Sequence, residues 1–402
     1  MIWHCIHIID ITLWLLMAAS VVYILFFALV STLWKKRVSR LTKYLTGQVL
    51  SLRKKEHFSY LILYPAYNED RVIVNSVQKF LAQYYPYNSF HVAVISDHMQ
   101  PETNQKLSEL PITLLQPVFE KSSKAKAMQY AMDQIKDDYD FIIILDADNV
   151  VEPHFLEQLN TECAKGYKAI QCHRCAKNND NDIAVLDGVS EEINNTIFRK
   201  AHNRIGLSSA LIGSGMCFDY QWFKENVYKL TTAGEDRELE ALLLQQKVYI
   251  QYEPDIHVFD EKVSNKDNFQ KQRLRWMTAQ IQSLFRMLPY IPKAITTYNL
   301  DFIDKTIQQA LIPRSMLVVG ALGMSMFMTA FSLFFSLSWY IKWWSLFLAV
   351  CIALYIATPK QLRKHSVFGK ILSLPKLVWK MAMNILKIDR KNTDFIHTSH
   401  DK

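Results

Sequence analysis

The stretch Phe141-Ile142-Ile143-Ile144-Leu145-Asp146-Ala147-Asp148-Asn149 is an unbroken apolar run that stops at two carboxylates one residue apart. A run this short and β-branched reads as a strand buried on both faces, as in a parallel sheet. Asp146 and Asp148 then stand at its carboxyl end, where open α/β sheets bind ligands. Two hard carboxylates sharing one divalent cation suit Mg²⁺ or Mn²⁺ bridging the phosphates of a nucleotide. The plainer alternative is a polar strand-end turn in which Asp148 caps a helix.

Around this strand, similar runs recur at Phe58 to Tyr64, Phe90 to Ser96, Ile112 to Leu115 and Lys168 to Cys172, with helical stretches between them. The alternation predicts an α/β domain with a mostly parallel sheet over residues 51–288. Polar clusters close the strands. Pro65, Tyr67 and Glu69 lie in a turn suited to a nucleotide, and Asp97 offers a carboxylate to a base N–H or ribose hydroxyl. Lys121, Lys124 and Lys126 open a helix with cations, against the helix dipole unless an anion such as phosphate is also there. Gly213-Ser214-Gly215 allows close backbone approach to a ligand. Glu235 and Asp236 precede a helical stretch, as plain caps or as a base that takes a proton from an attacking hydroxyl. Gln272, Arg275 and Trp276 share a helix, Arg275 suited to a diphosphate and Trp276 to a sugar ring.

The flanks are of another kind. Half of the 402 residues are hydrophobic, and the excess is concentrated. Residues 11–33 are nearly charge-free and are followed by Lys35, Lys36, Arg37, Arg40 and Lys43, which predicts a signal-anchor in an amino-terminal segment 1–50. Within 311–358, Leu311 to Phe335 and Trp339 to Ala357 read as two further spans, with Trp339, Tyr340, Trp343 and Trp344 at an interface. Three spans put the amino terminus outside and the carboxyl terminus and catalytic block in the cytoplasm of a plasma or bacterial inner membrane. Lys360, Arg363 and Lys364 agree with that orientation. Residues 289–310 and 366–388 read as interfacial helices, the latter within a cytosolic tail 359–402. The net charge of +8 follows from Lys and Arg gathered beside the spans, where anionic membrane lipids attract them, and no nucleic-acid motif accompanies it. The six cysteines are scattered, so disulfides are not expected; Cys172-His173-Arg174-Cys175 has Cys-x-x-Cys spacing without the second pair of a zinc site.

Taken in order, Asp97, Asp146-Ala147-Asp148, Glu235-Asp236 and Gln272-x-x-Arg275-Trp276 resemble the membrane-integrated family-2 glycosyltransferases, which include cellulose, hyaluronan, chitin and poly-N-acetylglucosamine synthases. The resemblance spans Tyr64 to Trp276 and the flanking apolar segments. It implies a GT-A fold and inverting transfer from a UDP-sugar to give a β-glycoside. Asp97 would contact uridine, Asp146 and Asp148 the ribose-diphosphate and metal, and Asp236 would be the general base. Gln272, Arg275 and Trp276 would hold the diphosphate and the acceptor, with Arg174 a further phosphate contact. The tail Asp394 to His400 resembles a gating loop, which makes Thr398 a donor contact.

This chain departs from the family pattern at Ser123, where relatives carry glycine, at Asp97-His98, which replaces a paired acid, and in its small number of spans. The expected partners are a UDP-sugar, a carbohydrate or lipid acceptor, membrane lipids, and a second copy or an export partner. A processive polysaccharide synthase is the first reading. A ceramide glucosyltransferase type that adds one sugar to a lipid is the second, and a non-catalytic membrane scaffold the third.

Overall fold

The computed structural model describes residues 2–34, 55–178, 181–232, 234–262, 266–332 and 336–363. Eight strands form one sheet: β1 Tyr60–Tyr67, β2 Phe90–Asp97, β3 Thr113–Leu115, β4 Phe141–Ile144, β5 Val150–Val151, β6 Ala169–Ala176, β7 Met216–Asp219 and β8 Ile250–Asp260, in the order β3-β2-β1-β4-β7-β6-β8-β5. The β3-β2-β1-β4 half is parallel, and β6 and β8 are parallel to each other. The short β7 runs antiparallel between β4 and β6, and β5 antiparallel to β8.

All five strands expected from the sequence are present, four of them within three residues of their predicted ends and β6 running four residues further than expected, whereas β5, β7 and β8 were not foreseen. The central strands are apolar throughout because both faces are covered. Leu61, Leu63, Ile142 and Ile144 pack with Ala127, Met128 and Ala131 of the Lys124–Gln134 helix. The alternate residues Ile62, Tyr64 and Ile143 pack with Val77, Phe80, Phe155 and Leu159 on the other side.

Among the described residues, two helices are long and apolar enough to cross a membrane: Trp3–Leu33, with mean hydropathy 2.6, and Leu337–Ala357, with 1.7. The expected span 311–335 is realised as the 17-residue helix Arg314–Ala330, set at 50° to the preceding Leu300–Ala310 helix. Alone it is shorter than the ~20 residues a span needs. Pro313 explains the break, since it disfavours helical backbone at Ile312 and cannot continue the Leu300 helix. The count of three spans therefore holds only if this bent pair acts as one.

The region 289–310 is two helices, Ile291–Thr296 and Leu300–Ala310. The second buries Phe302, Lys305 and Gln309 against the catalytic block: Asp301 accepts from the Ser208 amide and hydroxyl at 2.7 and 2.8 Å, and Lys305 pairs with Glu240 at 3.2 Å. Leu288, Tyr290, Ile295, Tyr298, Leu300 and Ile307 stay exposed on the outer side. The amino-terminal helix is joined to the same block. The Tyr23 hydroxyl meets His202 at 2.9 Å and donates to Asp304 at 2.7 Å, Phe27 stacks on His202 at 3.7 Å, and Arg204 donates to the Ser31 carbonyl. The basic segment after the first span, the 366–388 helix and Thr398 lie outside the described residues.

Candidate active site

A single cavity of about 870 Å³ collects nearly all the polar clusters singled out from the sequence. Pro65, Tyr67, Glu69, Asp97, Lys124, Asp146, Asp148, Arg174, Gly213, Glu235, Asp236, Gln272, Arg275 and Trp276 all line it. The sheet explains the convergence, since β1, β2 and β4 are parallel and deliver their carboxyl ends to one edge. Asp97, almost fully buried, is held by the His98 ring at 2.5 Å, so His98 serves Asp97 where relatives carry a second acid.

Asp148 is the most deeply set carboxylate of the pair. It accepts from the Glu261 amide at 2.7 Å and the Asn149 side chain at 3.1 Å. Burial, and then the neighbouring carboxylates Asp260 and Asp146, push it well above the usual carboxylate range. Asp146 and Asp148 are hard oxygen donors of the kind a divalent cation takes, whereas Asp260 is held by Lys262 and Arg174. Asp260, at the end of the unforeseen β8, was missed by sequence reading. The strand-end logic that found Asp146 would have found it had β8, interrupted by Pro254, been recognised.

Behind these acids lies a buried ionic network. Arg174 pairs with Glu191 at 2.9 Å, Asp260 at 3.6 Å and Asp146 at 3.9 Å, and Lys262 pairs with Asp260 at 2.6 Å and Glu191 at 2.9 Å. Burial opposes the charge on Glu191, but Arg174, Lys262 and Arg199 outweigh it and hold this carboxyl far below its ordinary value. Arg174 is thus already committed to protein acids and approaches the cleft from beneath.

On the opposite wall, Lys124 binds Asp146 and donates to the Gly213 carbonyl at 2.7 Å, and it stands 3.7 Å from Glu235. Burial raises Glu235 to about 7, with Lys124 lowering and Asp236 raising it. The Glu238 carboxylate ties the preceding loop to the helix, accepting from the Thr231 and Thr232 amides at 2.8 and 3.1 Å. Asp236 lines the cavity with one oxygen on the Arg237 amide at 2.8 Å and the other facing Gly213. Gly213 adopts φ 80°, which brings its backbone against both acids. Ser214 and Gly215 do not reach the cavity. Both are buried behind its wall, Ser214 on Asn149 and Gly215 so close to Val258 that a Cβ would sit 2.9 Å from it, so of this turn's three residues Gly213 lines the cavity.

Gln272, Arg275 and Trp276 reach the cavity from the Lys266–Met287 helix. Arg273, which the sequence did not single out, binds Asp187 and lies over the rings of Phe269 and Trp276 at 4.7 and 4.5 Å, fixing the indole. The cavity then changes character. It runs on past Arg314 to Ile24, Val318, Val319, Leu322, Phe347, Leu354 and Tyr355, all on the apolar helices. Arg314 donates to the Ser190 carbonyl and hydroxyl, both at 3.1 Å, with no carboxylate within 4.0 Å among the described residues.

Known proteins share this fold. The chain resembles the solved mannosyltransferase PcManGT from Pyrobaculum calidifontis in complex with GDP-Man and Mn²⁺, at 15% identity and TM-score 0.50, over 92% of this chain and 98% of that one. S. aureus TarS 1-349 in complex with UDP-GlcNAc matches at 13% identity and TM-score 0.41, over 81% and 92% of the two chains. Glucosyl-3-phosphoglycerate synthase from Mycobacterium tuberculosis matches at 12% and 0.41, over 56% and 80%. No curated protein sequence matches. The model of the glycosyltransferase-like family 2 matches residues 59–279, more than half of the chain, including the whole of the sheet and the polar side chains from Pro65 to Trp276, so the protein belongs to that family and is a glycosyltransferase.

Proposed function

We propose that this enzyme is membrane-bound and transfers a sugar from a UDP-sugar with inversion, forming a β-glycosidic bond. The observation that carries the reading is the meeting, in one cavity, of the strand-end acids Asp97, Asp146 and Asp148, the helix-start acid Asp236 and the Gln272-Arg275-Trp276 face. Asp97 receives the nucleoside. Asp146 and Asp148 would hold Mg²⁺ or Mn²⁺, which would supply charge neutralisation for the diphosphate. Asp236 takes the proton from the acceptor hydroxyl as its oxygen attacks the anomeric carbon, and Arg275 holds the departing diphosphate. Trp276 packs against the acceptor. Lys124 keeps Glu235 and Asp146 apart in charge and place, a positioning task.

Of the two acceptor classes, the lipid is favoured by the lining of the inner branch. A growing polysaccharide needs hydroxyl-bonding groups along its whole path, whereas this branch is walled mainly by Val318, Val319, Leu322, Phe347 and Leu354, with Ser315, Tyr355 and Thr358 as its few hydroxyls. An acyl or isoprenoid chain would replace contacts with the surrounding bilayer at little cost. We therefore place single-sugar transfer to a lipid ahead of processive synthesis. Transfer from radiolabelled UDP-sugars, with GDP-mannose included because the PcManGT structure holds GDP-Man, is the test. A small lipid-soluble product absent with Asp236→Asn supports the reading, a large glycosidase-sensitive product would return the enzyme to the processive class, and no product from any donor would overturn transferase activity by this chain alone.

A further inference from the structure

The Cys-x-x-Cys run does not form a thiol pair. Cys172 is buried in the core and Arg174 lines the active-site cavity. His173 and Cys175, two residues apart on β6, project to the side away from Arg174. A register shift between Cys172 and His173 sets this arrangement: the β8 partner jumps from Glu253 to His257, so the strand is re-aimed at this point. Glu192 of the Asp182–Asn194 helix meets the two side chains there. One ligand atom each from His173, Cys175 and Glu192 lie within 4.8 Å of one another.

We propose that His173, Cys175 and Glu192 form a zinc site separate from the catalytic centre. One imidazole nitrogen, one thiolate and one carboxylate are the donor types Zn²⁺ accepts, and three such ligands leave a fourth position for water. The hard cations expected at Asp146 and Asp148 prefer all-oxygen ligands, so the two sites differ in metal preference. The second sphere is in place. The Tyr252 hydroxyl lies 2.5 Å from His173 Nδ1, which orients Nε2 toward Glu192, 2.9 Å away. On binding, the Cys175 thiol releases its proton to solvent and the ion takes the place of the His173–Glu192 hydrogen bond.

The side chains are partly exposed, Glu192 at 19% and His173 at 15%, so an ion has a path in. Because Arg174 sits between His173 and Cys175 and Glu191 precedes Glu192, a bound ion ties β6 to the helix beside the 2.9 Å Arg174–Glu191 pair. The site thus staples the back of the nucleotide cleft.

The test uses the full-length protein in lipid nanodiscs, stripped with chelator and kept in excess Mg²⁺ to fill the carboxylate site. Addition of Co²⁺ should produce a thiolate-to-cobalt charge-transfer band that Zn²⁺ abolishes by displacement, and Zn²⁺ should raise the melting temperature. Cys175→Ser should lose the band with an unchanged circular dichroism spectrum. Should that variant not fold, Glu192→Gln, which keeps the side-chain shape, should lose the zinc-induced rise in melting temperature. Absence of the band in the wild type, its survival in Cys175→Ser, or an undiminished zinc effect in Glu192→Gln overturns the proposal.

Discussion

Lys124 stands 3.7 Å from Glu235 while its ammonium is bonded to Asp146, so one cation links the strand-end acid to the helix-start acid across the cleft. Removing one partner from such a buried set leaves uncompensated charge. Lys124→Met should therefore lower the stability by about 3 kcal/mol and transfer by roughly 100-fold. Lys124→Arg should recover part of both. Chemical denaturation and initial rates on the same preparations check the pair of effects.

Glu235 carries a pH signature. Its pKa is about 7 when folded against 4.5 when exposed, so the folded form keeps the proton longer. The stability it costs is absent below pH 4.5, grows as pH rises to about 7 and is constant above that, reaching about 3 kcal/mol. Glu235→Gln should match the wild type in stability at low pH and exceed it at pH 8. A difference that shrinks with rising pH would refute the assignment.

Asp148 and Asp236 should separate metal binding from proton transfer. Asp148→Asn removes a carboxylate that burial, Asp260 and Asp146 disfavour, so metal-free stability at neutral pH should be unchanged or higher. The stabilisation by Mn²⁺, about 2.7 kcal/mol at a concentration 100 times Kd, should vanish. Asp236→Asn should keep UDP binding within about threefold and lose transfer by at least roughly 100-fold. Calorimetry with UDP and Mn²⁺ and a transfer assay distinguish the two variants.

The apolar branch has its own test. Leu322→Trp places an indole in the branch without touching the nucleotide side. It should raise the KM for a lipid acceptor about tenfold or more and leave UDP affinity unchanged. Equal transfer to a soluble sugar acceptor by mutant and wild type completes the measurement.

The parallel half of the sheet was legible because β1, β2 and β4 are buried on both faces and write themselves as apolar runs that end in acids. The antiparallel insert was not. Met216–Asp219 is four residues long and follows two glycines, so it reads as part of a turn, and β8 carries Pro254 where a strand is usually uninterrupted. Missing β8 concealed Asp260 and Lys262. The ionic network was hidden for a related reason, since Glu191 and Arg199 belong to a helical stretch whose inward face is decided by the apolar helices packed on it. Ser214 and Gly215 show the opposite error: their residue types suggested a ligand loop, and the tight fit against Asn149 and Val258 makes them structural. The helix break at Pro313 could have been read from the sequence, but hydropathy averaged over the segment conceals it.

The contacts of Tyr23 and Phe27 with His202, and of Ser31 with Arg204, give the amino-terminal helix a role that a tether would not have. Ile24 of the same helix is part of the cavity wall. Cutting it away would open a side of the cavity and take Tyr23 and Phe27 from the buried His202, leaving it Asp304, Gln308 and the Ile197 carbonyl. Expression strategies that treat the first segment as dispensable would thus yield a different protein, and chimeras should exchange the amino-terminal helix together with the domain it seals.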